Sequence, residues 1–353
     1  MMNWLLTFVP ITIALEFLGP ERHLLIFVTS SLAILPLAGL MGRATEELAE
    51  RVGEGVGGLL NATFGNAAEL IIALAALRVG LYDVVKASIA GSIVGNILLV
   101  LGAAMLAGGI RHSEQHFNPL GARSQATMLT LAAIALILPA AFRAATGATV
   151  QGLGRLSVSI SIVLLLGYAL YLVFALITHP ALFKGTYEAE ERKGPGSAGR
   201  AAVVLATATA AIAWMSEVLV GAIEPTAQEL GLSDAFVGVF LVAVLGNAAE
   251  HATAITAALK NRMDLSLSIA FGSSVQVALF VAPVLVLASL VIGPAAMDLA
   301  FPAGLVLIVL LSVLITGQVA GDGRSDWLKG MQLLLVYLVL GLTYFFLPSA
   351  ANH

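Results

Sequence analysis

The chain has 353 residues, of which 59% are hydrophobic and only 11% charged, and its mean hydropathy is +0.98. These values lie outside the soluble globular range and exclude a water-soluble helical protein, whose helices need polar outer faces that these segments lack. A net charge of -4 with scattered basic residues leaves no nucleic-acid footprint, and the absence of cysteine excludes disulfides, thiolate metal sites and Cys nucleophiles.

Apolar runs of bilayer-spanning length follow one another with only short polar breaks. Lipid cannot satisfy exposed backbone groups, so each run is predicted as helix. In chain order the expected spans are about 3–19, 23–41, 55–77, 83–109, 124–143, 154–178, 200–221, 232–259, 264–292, 298–318 and 326–347. The fold class is thus an all-α polytopic membrane protein with about 11 transmembrane helices. The first run, Trp4 to Leu18, has no Lys or Arg before it and no small-residue cleavage site, and reads as a retained helix rather than a signal peptide. The charged break at 184 to 200, "KGTYEAEERKGPGSAGR", mixes Gly and Pro with three Glu and is expected as a loop. The expected organisation is an N-terminal transmembrane helix, 1–21, a first five-helix half, 22–183, a cytoplasmic connecting loop, 184–199, and a second five-helix half, 200–353.

Of the 17 Lys and Arg, five (Arg22, Arg78, Lys86, Arg143 and Arg155) fall on one side of these spans and twelve on the N-terminal side. The positive-inside rule places the N-terminus and the 184–199 loop in the cytoplasm and, with an odd number of spans, the C-terminus opposite. A prokaryotic plasma membrane is the expected location.

The sequence repeats itself. "GNAAEL" at 65 to 70 returns as "GNAAEH" at 246 to 251, and seven of the 13 positions from 65 to 77 match at an offset of 181. The same offset aligns Gly91 with Gly272, Ser92 with Ser273 and Val94 with Val275. Two related helices therefore occur in each half, separated by an odd number of spans. Such copies cross the membrane in opposite directions, the inverted-repeat arrangement that places a transporter site near the midplane.

Helical spacing puts Asn66 with Glu69, and Asn247 with Glu250, three apart on one face. In the partner helices Ser92 and Asn96 are four apart, and Ser273 and Gln276 three. The surrounding Gly and Ala permit close helix approach and local unwinding. An acidic side chain at a helix centre costs about 2.5 to 3.5 kcal/mol on insertion scales, so Glu69 and Glu250 mark an ion or proton path rather than mere helix bridges. The donor set of Glu69, Glu250, Asn66, Asn247, Ser92, Asn96, Ser273 and Gln276 is all oxygen, suited to a hard dication. Ca2+ takes such ligands flexibly, whereas Mg2+ demands strict octahedral geometry. Burial disfavours the charged form of a carboxylate, so Ca2+ and protons compete for Glu69 and Glu250, and antiport follows with no separate proton site. His251 follows Glu250 directly and reads as a gate or packing element rather than a ligand. Glu46, Glu47 and Glu217 lie near expected helix ends and read as cation-recruiting mouths or as interfacial carboxylates.

"GNAAELIIALAAL" and "GNAAEHATAI", with "GSIVGNILLVLG" and "GSSVQVALF" in the following helices, resemble the two α-repeats of the cation/proton exchanger family within the Ca2+:cation antiporters. The resemblance covers essentially the whole chain. It implies a first helix followed by two inverted five-helix halves joined by a cytoplasmic acidic segment, and exchange of Ca2+ for H+ with Glu69 and Glu250 as shared ligands. It also places family ligand positions on Gln276, Ser92 and Asn96. Here the acidic segment has only Glu188, Glu190 and Glu191, interleaved with Arg192 and Lys193, which argues against a strong Ca2+-sensing role. No cofactor is implied. The partners are the lipid bilayer and the transported Ca2+ and H+, with a homo-oligomer left open. The alternatives are a Na+-coupled Ca2+ exchanger or an exchanger of another divalent cation. Gln276 is followed by Val277, where Na+-using relatives are expected to carry an acid, which favours proton coupling. A membrane enzyme is disfavoured because the chain has neither H-E-x-x-H nor G-x-S-x-G.

Overall fold

A computed structural model describes residues 3–52, 57, 59–60, 63–147, 149–182 and 197–346 of the chain. All but the last residues of the expected connecting loop 184–199 lie outside them, as does part of the expected span 55–77. The described residues are almost wholly helical. In chain order the helices are α1 (Phe8–Leu18), α2 (His23–Val52), α3 (Ala67–Arg78), α4 (Tyr82–Arg111), α5 (Pro119–Thr146), α6 (Val150–Thr178), α7 (Ala198–Leu230), α8 (234–246), α9 (Ala248–Leu259), α10 (Met263–Ala288), α11 (Ala303–Val319) and α12 (Trp327–Phe345). Seven of them, α2, α4, α5, α6, α7, α10 and α12, are long and apolar enough by themselves to cross a membrane. The chain is therefore an integral, polytopic helical membrane protein.

Local chemistry sets the helix ends. Asn118 caps α5 by accepting from Leu120 N at 3.0 Å and Gly121 N at 3.4 Å, with Pro119 at the first helical position. The same helix ends at Gly147, whose φ of 59° is left-handed. Asp326 caps α12 through Lys329 N at 2.9 Å. Two helices run past their expected ends. The span expected at 23–41 continues to Val52, because "RATEELAER" is rich in good helix formers even though it is polar, and that at 200–221 continues through Pro225 to Leu230. At 1.5 Å per residue these helices are about 45 and 50 Å long, against a hydrocarbon core of about 30 Å. Their charged ends thus belong outside the apolar layer. The span expected from 298 begins instead at Ala303, because residues 289–302 form an ordered non-helical segment.

Burial sorts the helices by role. α4 and α10 are the most enclosed, each with 72% of its most apolar window buried, whereas α12, α6 and α5 turn rows such as Leu335, Leu338 and Leu342, or Leu131, Ile134 and Leu138, outward. Exposed leucines in continuous rows are lipid-facing surface. The central helices approach closely through small residues. A Cβ at Gly330 of α12 would lie 2.6 Å from the Gly102 carbonyl of α4, and one at Gly91 of α4 would collide with Val239 O of α8. The 181-residue offset recurs in three dimensions. α3 matches α9 in both limits, and π-helical turns at Gly95–Val100 and Val277–Val281 fall at corresponding places in α4 and α10. α2 lies along α7, and a two-residue antiparallel pairing joins Gln115 to Ser325 and His116 to Arg324.

The non-helical segment 289–302 grips the turn between α3 and α4. Tyr82 Oη donates to Ala295 O at 2.6 Å and accepts from Ala295 N at 2.7 Å. Lys86 Nζ reaches Asp298 Oδ1 at 2.6 Å and Ala300 O at 3.0 Å, with side chains 9% and 25% exposed. Lys86, counted in the sequence among the basic residues on one side of the spans, is thus a buried partner within α4. Removing one member of a buried pair leaves the other charge unmatched and costs about 3 to 5 kcal/mol in a fully enclosed site, less where one partner reaches solvent. Lys86→Met and Asp298→Asn are each expected to lower the thermal midpoint of the purified protein by several degrees. The double variant should recover part of that loss, and strict additivity in the melting series would show that the pair is not coupled.

Candidate cation site

Neither copy of the acidic motif sits in an unbroken helix. The chain turns at Gly65 and Asn66 before α3, and again at Asn247 between α8 and α9. Glu69 and Glu250 each fall in the first turn of the helix that follows. Gly and Ala on both sides of the breaks supply little packing to resist them. Asn66 (φ -102°, ψ 24°) and Asn247 (φ -101°, ψ 1°) adopt nearly the same backbone, and neither uses its side chain as a cap. Both amides are thus available to partners elsewhere. The positive end of each helix dipole faces its glutamate.

The amides are used across the two halves. Ser273 Oγ donates to Asn66 Oδ1 at 2.8 Å, and Asn247 Nδ2 donates to Ser92 Oγ at 3.2 Å. These two bonds are repeat mates, because Asn66 and Asn247, and Ser92 and Ser273, are each 181 residues apart. Further bonds extend the first of them. Asn66 Nδ2 donates to Gln276 Oε1 at 2.5 Å, Asn96 Nδ2 donates to Ser273 Oγ at 3.0 Å, and His251 Nε2 lies 3.3 Å from Asn96 Oδ1. The Asn247 side chain lies against the Glu69 carboxyl, Ser273 lies against Glu250, and the two carboxyls are electrostatic neighbours. All eight residues that the spacing selects therefore meet in one cluster.

Among the described residues, three buried oxygens in this cluster have no hydrogen-bond partner: Glu69 Oε1, Glu250 Oε2 and Asn247 Oδ1. A buried acceptor without a donor costs about 1 to 3 kcal/mol, more when it is charged, so these atoms are a local deficit in the fold. Among the described residues no group of three or more His, Asp or Glu side chains comes together. The site therefore rests on two carboxylates supplemented by neutral oxygens. Gly246 sets the position of one of them, since a Cβ there would lie 2.8 Å from Glu69 Cγ.

The residues read as gates divide. His251 joins the cluster through Asn96 instead of facing away, because the turn at Asn247 places it on a helix that starts beside the site. Glu46 lies within α2 and its side chain is exposed. Glu217 sits in the interior of α7, not near its end, and is held by Arg78 Nη1 at 2.7 Å in an exposed ion pair. Sequence reasoning missed Gln125, which is 5% exposed in α5 and lies beside Gly272 and Tyr171. It belongs to no repeat, and the only clue to it is the cost of placing an amide inside an apolar helix.

The family model described as sodium/calcium exchanger protein matches residues 22–177 and 200–346. A Ca(2+)/H(+) antiporter of Aphanothece halophytica is 46% identical over 98% of this chain and 96% of its own length. One of Bacillus subtilis is 40% identical over 95% of this chain and 97% of its own. The solved structure of native YfkE superposes with a TM-score of 0.85 at 37% identity, covering 98% of this chain and all of that one. The H+/Ca2+ exchanger CAX, at 17% identity, shares the fold with a TM-score of 0.74 over 98% of this chain and 91% of that one. By the two matched stretches and these relatives, the chain belongs to the sodium/calcium exchanger protein family.

Proposed function

We propose that this protein exchanges Ca2+ for H+ across the membrane, with Glu69 and Glu250 holding either the dication or protons. The observation that carries the reading is the set of buried, unpartnered acceptors on Glu69, Glu250 and Asn247, drawn from both halves. Two carboxylates match the charge of one Ca2+, and Asn66, Asn247, Ser92, Asn96, Ser273 and Gln276 supply neutral oxygens around them. Ca2+ takes six to eight oxygen ligands at roughly 2.3 to 2.6 Å in adaptable geometry. The relatives named Ca(2+)/H(+) antiporters support this cargo. Na+ coupling fits less well, since the repeat mate of Asn96 is Val277, an apolar residue at the point where a further ligand would add a site.

Coupling follows from the shared oxygens. Protonated carboxyls can donate to neighbouring acceptors, whereas ionised ones require the cation, so either cargo removes the unpaired charge and neither can be held together with the other. Access alternates between the two faces only when the pair is neutral, because a bare charge in an apolar interior is too costly to carry through the change. Each pH unit across the membrane then contributes about 1.36 kcal/mol per proton to moving Ca2+. The organisation that serves this is an N-terminal helix, 1–21, and two inverted five-helix halves, 22–183 and 200–353, making eleven crossings. The recurrence of α3 as α9 and of the π-helical turns supports it. The excess of basic residues on one face supports a cytoplasmic N-terminus and 184–199 loop, with the C-terminus opposite, in a prokaryotic plasma membrane.

In proteoliposomes, an imposed pH gradient alone is expected to drive Ca2+ uptake, and Glu69→Gln and Glu250→Gln should each abolish it. Uptake driven only by a Na+ gradient, or surviving either substitution, would refute the assignment. Gly246→Ala displaces Glu69 without removing any ligand. It should raise the half-saturating Ca2+ concentration by roughly tenfold or more, the scale on which misplacement of a functional group by about 1 Å acts. An unchanged value would mean that Glu69 is not positioned by this contact.

A further inference from the structure

We infer that the cleft between the start of α10 and the start of α5 is an entry route by which the exchanged ions reach the Gln276 end of the site. This rests on the exchange reading given above. The cleft is small, about 20 Å³, room for about one water molecule, and is lined by Asn118, Gly121 and Gln125 of the α5 side and by Asp264 and Ser268 of α10, with Leu182 at its edge. Asp264 stands at its mouth, fixed by Asn118 N donating to Oδ1 at 2.6 Å.

What makes this niche a route is the row of residues that continues from it. Asp264, Ser268, Gly272 and Gln276 follow one another every four residues along α10, so each adjoins the next in a ridge that winds about 120° round the helix. Twelve residues of helix carry this row about 18 Å inward, and the midplane of a hydrocarbon core lies about 15 Å from its surface. The row ends where Gln276 Oε1 accepts from Asn66 Nδ2 within the site. Between mouth and site it carries a hydroxyl and then a glycine. A Cβ at Gly272 would meet Gln125 Nε2 at 4.0 Å, so the amide of Gln125 faces the place where the row has no side chain. Gln125 is nearly fully buried and is held there by a side-chain hydrogen bond with Tyr171. A polar niche whose inner side chain lies one helical turn short of the cluster is the form a closed end of a pathway takes. The carboxylate at the mouth raises the local concentration of cations.

The chain contains no cysteine, so Ser268→Cys supplies a single thiol in an otherwise unreactive protein. In oriented vesicles a membrane-impermeant thiol reagent should label it only from the face that bears Asp264. Ca2+ should slow the labelling, and labelling should cut Ca2+/H+ exchange by more than half, while Leu131→Cys on the lipid-facing side of α5 keeps its rate after the same treatment. Exchange by unlabelled Ser268→Cys tests the functional reading separately from the route. Labelling without loss of exchange, equal labelling from both faces, or none at all would overturn the route. Asp264→Asn gives a second readout, because Asn retains an oxygen for Asn118 N. It should raise half-saturation about three- to tenfold for Ca2+ presented on that face alone, and high salt should abolish the difference. An equal change on both faces, or no change on either, would show that Asp264 serves only the fold.

Discussion

The arrangement depends on the cost of holding a pair of carboxylates inside an apolar helical bundle. Glu69 is buried, Glu250 is largely enclosed, and each keeps one buried oxygen that no donor satisfies. Hydrophobic packing cannot supply what those atoms lack, because the surrounding helices consist mostly of Ala, Val, Ile and Leu. The fold holds this deficit in place because α4 and α10, the most enclosed helices, carry the polar partners Ser92, Asn96, Ser273 and Gln276 on their inner faces.

Breaking the acidic helices is what makes this geometry available. The Asn66 and Asn247 carbonyls still accept from Leu70 N and His251 N, each at 3.0 Å, so what the breaks change is the direction of the side chains, which in an unbroken helix would follow a single stripe. The turns at Gly65–Asn66 and Asn247 start a new helix at each motif. Each glutamate then sits at a helix N-terminus, where the dipole eases its ionised form, and each asparagine is free to bond the opposite half. Because Asn66 bonds Ser273 and Asn247 bonds Ser92, neither half can complete the cluster alone.

Much of this was legible in the sequence, and what was not has physical causes. The 181-residue offset selected Asn66, Glu69, Ser92 and their mates because an acid repeated inside apolar runs has few explanations, and the structure brings all of them together. Helix ends at Val52 and Leu230 were missed because hydropathy marks where lipid ends, not where helix ends. The π-helical turns have no residue signature that hydropathy reads. The Lys86–Asp298 pair was hidden because its partners are 212 residues apart and neither belongs to the repeat. The contact of His251 with Asn96 was hidden because it joins residues 155 apart in different halves, which spacing within one helix does not register.

The repeat is imperfect at one place, and that imperfection gives the site a direction. At an offset of 181, Asn96 corresponds to Val277 and Gln276 to Gly95, so each half supplies one amide, one residue out of register with the other. Asn96 is bonded to Ser273 and His251, whereas Gln276 is bonded to Asn66. As a result Asn66 Oδ1 is already satisfied by Ser273, while its mate Asn247 Oδ1 is not. On the exchange reading, a cation entering the cluster meets three acceptors that have no partner among the described residues, whereas Asn66 Oδ1 is engaged in a 2.8 Å hydrogen bond with Ser273. The two glutamates thus correspond in sequence but differ in surroundings: Asn247 beside Glu69 keeps an unpartnered amide oxygen, and Ser273 beside Glu250 is already bonded to Asn66 and Asn96.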